Sequence, residues 1–198
     1  TDAVAACVVF KMGKPSKKDY RKFNIKTVEG PDDYASMKEV VRRRYTRAIE
    51  EQSPLPDLII TDGGKGQMEV VREVIEDELQ LNIPIAGLAK DSKHRTSELL
   101  YGFPPMTIGV KQSTPLFHLL ENIQDEVHRF AITFHRDKRS KNQVSSILDG
   151  IPGIGEKRKT ALLKAFRSVS RIKKASLEEI AEIVGINTAK NIKEKLKE

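Results

Sequence analysis

The chain has 198 residues, 38% of them apolar and 32% charged, with a net charge of +7 and one cysteine. That length and apolar share support a sizeable core in one domain or two, and they exclude a disordered or fibrous chain. No apolar run reaches the ~20 residues that span a bilayer, no basic-then-apolar leader is present, and a lone Cys7 rules out a disulfide framework or a metal-binding Cys pair; the expectation is a cytoplasmic protein with no membrane partner.

The charge is unevenly spread. Residues 1–135 carry 19 Lys and Arg against 20 Asp and Glu, whereas residues 136–198 carry 16 against 8. A basic C-terminal part beside a near-neutral one points to a polyanion, most often nucleic acid; a solvated Lys-rich helical surface gives the same count.

In chain order, residues 3–10 are apolar on both faces and read as a central strand. Met12-Gly13-Lys14-Pro15 is a turn, and residues 19–25, with Phe23 and Ile25 on one face, make a second, antiparallel strand. Gly30-Pro31-Asp32-Asp33 opens a helix, with proline and acids in the first turn where unpaired amides and the dipole favour them. Tyr34, Met37, Val41, Tyr45, Ala48 and Ile49 form its core stripe. Arg42-Arg43-Arg44 fans around this helix, and Arg42 is either a solvated surface residue or a phosphate contact.

Leu58-Ile59-Ile60-Thr61-Asp62-Gly63-Gly64-Lys65-Gly66-Gln67 reads as a short buried strand that ends on Asp62 and turns straight into a helix starting near Lys65. Two readings compete. Asp62 caps the helix, or it stands at the carboxyl end of a sheet strand and holds a metal or a proton. A Walker-type phosphate loop is excluded by the spacing, because Gln67 falls where a hydroxyl ligand is needed. Met68, Val71, Val74, Ile75 and Leu79 continue the helix, and residues 83–88 form a strand parallel to the first, as in a strand-helix-strand unit. Leu99-Leu100-Tyr101 and Ile108-Gly109-Val110 are short strands around Pro104-Pro105, with Lys90, Lys93 and Arg95 in a basic loop before them.

Residues 113–135 read as one long helix capped by Ser113, with Leu116, Leu120, Ile123, Val127, Phe130 and Phe134 at helical spacing. His128 sits at the border of the buried face, one turn past Gln124. It is either a satisfied structural histidine or an imidazole turned toward a metal.

Residues 137–146 are polar and basic, a linker by composition between a domain over 1–136 and a second over 147–198. In the second, Ile151-Pro152-Gly153-Ile154-Gly155-Glu156-Lys157-Arg158 and Ile183-Val184-Gly185-Ile186-Asn187 repeat 32 residues apart, placing Gly153 on Gly185 and Arg158 on Lys190. Glycines let two helices meet at a tight hairpin whose amides can cradle a phosphate, with Lys157, Arg158 and Lys190 adding charge. Asn187 stands where the repeat has Gly155, and Asn tolerates positive φ. Ser176-Leu177-Glu178-Glu179 is a capping box.

Taken together, Gly30-Pro31-Asp32-Asp33-Tyr34, Arg42-Arg43-Arg44-Tyr45, Asp62-Gly63-Gly64-Lys65-Gly66-Gln67, Asp125-Glu126-Val127-His128-Arg129-Phe130-Ala131 and Ile151-Pro152-Gly153-Ile154-Gly155 resemble, in this order, the C-terminal half of the UvrC family, the nuclease subunit of bacterial nucleotide excision repair. The resemblance implies an α/β, RNase H-like mixed sheet flanked by helices, followed by a small all-α tandem helix-hairpin-helix domain. It implies a 5′ incision on double-stranded DNA with a lesion or bubble, and UvrB as partner through a segment that lies elsewhere in the family. The family's site uses two aspartates and a histidine around a divalent metal; Asp62 and His128 match two of these, and Asp33 matches a further functional acid. The first aspartate lies just upstream of the stretch matching residues 3–10, and Asp2 is not its equivalent, so a polypeptide starting at Thr1 is expected to be inactive and a longer one to hold a complete site.

Phosphodiester hydrolysis needs an activated water and charge stabilisation at the phosphate, which Mg²⁺ or Mn²⁺ supplies. Hard oxygen ligands such as Asp62 suit both ions, and an imidazole shifts preference toward Mn²⁺. His128 is then a third ligand or a general base, and Lys65 at the helix start is a candidate phosphate contact. The alternatives are a non-catalytic DNA-binding module with a nuclease-like platform, or another RNase H-like structure-specific nuclease.

Overall fold

A computed structural model describes residues 3–93 and 96–197, apart from the side chain of Ser97. Asp2 and Arg95 lie outside the described residues. The chain divides into two compact units between Ala131 and Ile132. None of the helices among the described residues is long and apolar enough to cross a membrane.

The first unit is α/β. Strands β1 (Val4–Cys7) and β4 (Arg21–Asn24) pair antiparallel, with Ala5 opposite Phe23. Between them β2 (Phe10–Lys11) and β3 (Lys14–Pro15) form a small hairpin. Its turn has φ 52° at Met12 and φ 77° at Gly13, the paired left-handed conformation of a type I′ turn. The expectation of a central strand over residues 3–10 is corrected: among the described residues β1 pairs with β4 alone, and its four residues are half-buried. An apolar run shows that both faces are covered; it does not count the strand's neighbours.

Helix α1 (Asp33–Glu50) starts where the acids predict, with the Asp32 carboxylate accepting from the Ala35 amide at 2.9 Å. Its buried stripe is Glu39, Val40, Val41 and Tyr45, while Tyr34 and Ile49 are exposed, contrary to expectation. Glu39 is buried because it closes the end of the β1–β4 hairpin: it accepts from the amides of Lys26 (3.0 Å) and Thr27 (3.3 Å) and pairs with Arg43 (3.3 Å). Burial pushes its carboxyl up, and these bonds outweigh that and hold it below the ordinary range.

Strand β5 (Ile59–Thr61) runs parallel to β6 (Ile85–Lys90), with helix α2 (Lys65–Arg72) and a π-helical extension (Glu73–Glu78) as the crossover. β7 (Thr96–Tyr101) and β8 (Met106–Ile108) complete a mixed sheet in the order β5-β6-β7-β8. Met68, Val71, Val74 and Ile75 are fully buried and share one core with Val41 and Tyr45 of α1 and Ile85 and Leu100 of the sheet. At ~1.5–3 kcal/mol for each buried aliphatic side chain, that face holds the helix against the sheet beside the β5 turn.

Helix α3 (Pro115–Leu148) is capped by Thr114, whose Oγ1 accepts from the Phe117 amide at 3.3 Å, and not by Ser113 as expected. The β1–β4 layer grips it. The Tyr20 hydroxyl donates to Glu126 at 2.9 Å, Arg129 donates twice to the same carboxylate, and the Tyr20 and Phe130 rings meet edge to face at 5.0 Å. Arg129 first, with Tyr20, holds the Glu126 carboxyl down at about 2 against the contrary push of burial.

The helix does not stop at residue 136. Residues 137–146, expected to be a linker, are continuous helix, and the stretch holds neither Gly nor Pro to break it. Val144 and Leu148 at its end belong to the core of the second unit. That unit adds α4 (Glu156–Phe166), α5 (Val169–Lys174), α6 (Leu177–Val184) and α7 (Ile186–Lys195). Leu162, Ile172, Ile180 and Ile192 fill its centre, and Ser176 with Glu179 forms the predicted capping box.

Two predictions concern the carboxylates of the first unit that several donors hold. Glu39→Ala strips the Lys26 and Thr27 amides of their acceptor and should cost about 1–3 kcal/mol in denaturant unfolding at neutral pH. Glu126, folded at about 2 against ~4.3 unfolded, stabilises the fold above the unfolded value and loses that contribution as pH falls from ~4.3 toward 2. Glu126→Gln should therefore be less stable than the parent at neutral pH, with the gap closing on acidification; a gap constant with pH would assign the loss to shape and not to charge.

Candidate functional site

The strand β5 ends at Thr61, and Asp62 follows it directly. The turn that carries Asp62 is pressed against β6. The Thr61 hydroxyl reaches the carbonyls of Gly63 (3.0 Å) and Ala86 (3.3 Å), and a Cβ added at Gly87 would stand 2.6 Å from the Gly63 carbonyl oxygen. The sequence needs glycine at 87 for this approach. Gly64 is the N-cap of α2 and Gly66 lies under the Tyr34 hydroxyl, so the Asp62 carboxylate is not the helix cap.

The carboxylate is instead held from α3 and β6. Gln124 Nε2 donates to Oδ1 at 2.9 Å, the Lys90 ammonium lies 3.1 Å from Oδ1, and His128 Nε2 meets Oδ2 at 2.7 Å. Gln124 and His128 are one turn apart on α3, so a single helical face presents an amide and an imidazole to the two oxygens. Burial pushes the Asp62 carboxyl up, but the bonds from Gln124, Lys90 and His128 outweigh it and hold it below its ordinary value. The pair is reachable from solvent, with the His128 side chain 45% exposed and that of Asp62 25%.

Asp62 and His128, expected as partners, are thus brought together. Asp33 is the exposed first residue of α1, and among the described residues no third His, Cys, Asp or Glu joins Asp62 and His128 in a metal-holding group. A carboxylate oxygen beside an imidazole nitrogen is a donor pair of the kind that holds divalent cations. Lys65 is exposed at the start of α2. Arg42 is placed elsewhere: its guanidinium binds Glu78 with two bonds, 2.7 and 2.8 Å. Lys90, Gln124 and Thr96, the last donating its hydroxyl to Gln124 Oε1, were not singled out by the sequence. A usable signal existed for Gln124, a polar residue buried in line with Phe117 and Leu120 and one turn before His128.

In the second unit Gly153 (φ 88°) and Gly185 (φ 85°) share a positive φ, which supports the repeat register. Gly155 has φ −98° as the N-cap of α4, and Asn187 lies in the first turn of α7 without a positive φ. The expectation that Asn187 preserves a left-handed turn is corrected, since helix α7 begins directly after Gly185. Lys157 and Lys190 are exposed. Arg158 turns back: Nη1 donates to the Gly153 carbonyl at 2.7 Å and reaches Thr188 Oγ1 at 3.4 Å.

Comparison with known proteins assigns a family to each of the two units. The profile of the UvrC RNase H endonuclease domain matches residues 1–132, and that of the SAM-like helix-hairpin-helix tandem matches residues 145–198. The UvrABC system protein C of Bacteroides thetaiotaomicron is 80% identical over 196 residues, covering 99% of this chain. The same protein from Bacteroides fragilis is 79% identical over the same length. The chain spans about a third, 32%, of the length of these relatives. With the strand-end aspartate, the facing histidine and the paired hairpins in the matched segments, the chain belongs to the UvrC family of excision-repair nucleases.

Proposed function

We propose that this chain carries the metal-dependent phosphodiesterase centre that makes the 5′ incision beside a DNA lesion, with the paired hairpins holding the duplex. The observation that carries the reading is the meeting of Asp62 and His128 at 2.7 Å at the carboxyl end of a parallel strand, where ligands of α/β sheets collect. In this reading Asp62 and His128 would hold one Mg²⁺ or Mn²⁺ ion, together with a carboxylate contributed from outside the described residues. When bound, the ion supplies an activated water near neutral pH and charge stabilisation at the scissile phosphate. Asp62 supplies negative charge for it in a half-buried place, and the Gln124 amide fixes the carboxylate plane. His128 offers the second donor on the exposed side, while Lys65 brings positive charge to the phosphate. Lesion-bearing or bubbled double-stranded DNA is the proposed substrate and UvrB the proposed partner of the longer protein.

A second reading, a DNA-binding platform without chemistry, has one observation behind it: the Lys90 ammonium already neutralises Asp62 at 3.1 Å. A nicking assay on lesion-containing duplex separates the two, using a protein extended upstream to include the family's first aspartate. Asp62→Ala and His128→Ala should each lose about a hundredfold or more in Mg²⁺- or Mn²⁺-dependent nicking, since metal charge stabilisation is worth several kcal/mol. DNA affinity should be retained. Nicking unchanged by Asp62→Ala would support the platform.

The hairpins make a separate prediction. Lys157→Ala and Lys190→Ala should each weaken duplex binding across all sequences and reduce the salt slope by about one. Binding with an unchanged slope would refute their role as phosphate contacts. Arg158→Ala is expected to act differently, by loosening the link between Gly153 and Thr188.

A further inference from the structure

The buried pair Thr96 and Gln124 is not accounted for by packing. Both are polar and almost wholly inaccessible, 8% and 6% exposed. Their bonding has a single possible polarity. An ionised carboxylate is acceptor-only, so Gln124 must turn its amide nitrogen to Asp62, at 2.9 Å. Its Oε1 then faces Thr96, whose hydroxyl must donate. Removing that hydroxyl leaves a buried amide oxygen without a donor and frees the amide to rotate, which would bring oxygen against the Asp62 oxygen.

We infer that Thr96 and Gln124 are positioning residues, a neutral relay that fixes the plane of the Asp62 carboxylate from behind so that its oxygens are pre-set for a divalent cation. The inference rests on the reading of Asp62 as a metal ligand. It assigns to β7 a part in the site that the Asp62 and His128 motifs do not contain. A neutral donor suits this task, because it holds the carboxylate without competing with a cation for its charge; Lys90, on the same oxygen, does compete. Partners that orient a metal ligand in this way set affinity by about 10–100-fold.

The test is Mn²⁺ binding to the same upstream-extended protein used for nicking, followed by the spin-resonance signal of the free ion, with thermal unfolding of each variant in parallel. Thr96→Val and Gln124→Met keep side-chain volume and remove the hydroxyl and the amide. Each should weaken Mn²⁺ binding by about tenfold or more, and Thr96→Ser, which keeps the hydroxyl, should bind like the parent. Asp62→Ala should abolish saturable binding. If Asp62→Ala abolishes binding while Thr96→Val and Gln124→Met bind like the parent, the relay is overturned and the metal reading stands. If Thr96→Ser is as weak as Thr96→Val, methyl packing and not the hydroxyl is responsible, and the relay is again overturned. Binding unaffected by Asp62→Ala overturns the metal reading and the relay with it. Should Thr96→Val fail to fold, Gln124→Met decides alone.

Discussion

A carboxylate taken half out of water is costly unless donors meet it, and in the first unit that requirement organises the elements around Asp62. The oxygens of Asp62 are satisfied from a helix and from a neighbouring strand, with Gln124 and Lys90 on one and His128 on the other. This works only if β5 ends where it does, if the turn after it lies flat on Gly87, and if α3 presents residues 124 and 128 on the face toward the sheet. The last condition is met by the opposite layer: Tyr20, Glu126, Arg129 and Phe130 lock α3 against β4 and its preceding turn. The site is therefore braced from both sides of one helix.

Much of this was legible in the residues. The strand-turn-helix at Asp62 followed from an apolar run and three glycines, the parallel pairing of β5 and β6 from the intervening amphipathic helix, and the meeting of Asp62 with His128 from the family resemblance. Other parts were not. Glu39 falls on the helical stripe but is charged, and a stripe read by polarity passes over a carboxylate buried to receive backbone amides. Tyr34 was placed in the core by spacing, yet its hydroxyl rests on Gly66. Residues 137–146 look like a tether because they are polar, but polarity reports exposure, and exposure is compatible with helix when Gly and Pro are absent. Lys90 reads as a loop lysine because its partner lies 28 positions away in the chain.

The second unit shows how a repeat can hold in one property and drift in another. Gly153 and Gly185 share a positive φ that side-chain-bearing residues adopt only with strain. Beyond them the register parts, since α4 starts three residues after Gly153 and α7 starts one residue after Gly185. What the repeat preserves is the reversal of the chain; the length of turn before the helix is free to differ. The charge excess survives this drift because Lys157 and Lys190 stay exposed on helices that follow the reversals.

Arg158 gives the two reversals a relation that neither has alone. It spans from the carbonyl of Gly153 to Thr188 in the helix after Gly185, while Asn191 reaches the Pro152 carbonyl at 3.2 Å and Thr188 fills the space that a side chain at 153 would need. If both reversals hold phosphate, two grips tied together in this way would act as a calliper: the second would engage at an effective concentration set by their separation and not by a flexible tether. A calliper is selective for distance. Under the proposed reading, what it measures on a duplex is the spacing of phosphates across a groove, so a distortion of the helix would change binding with no base being read.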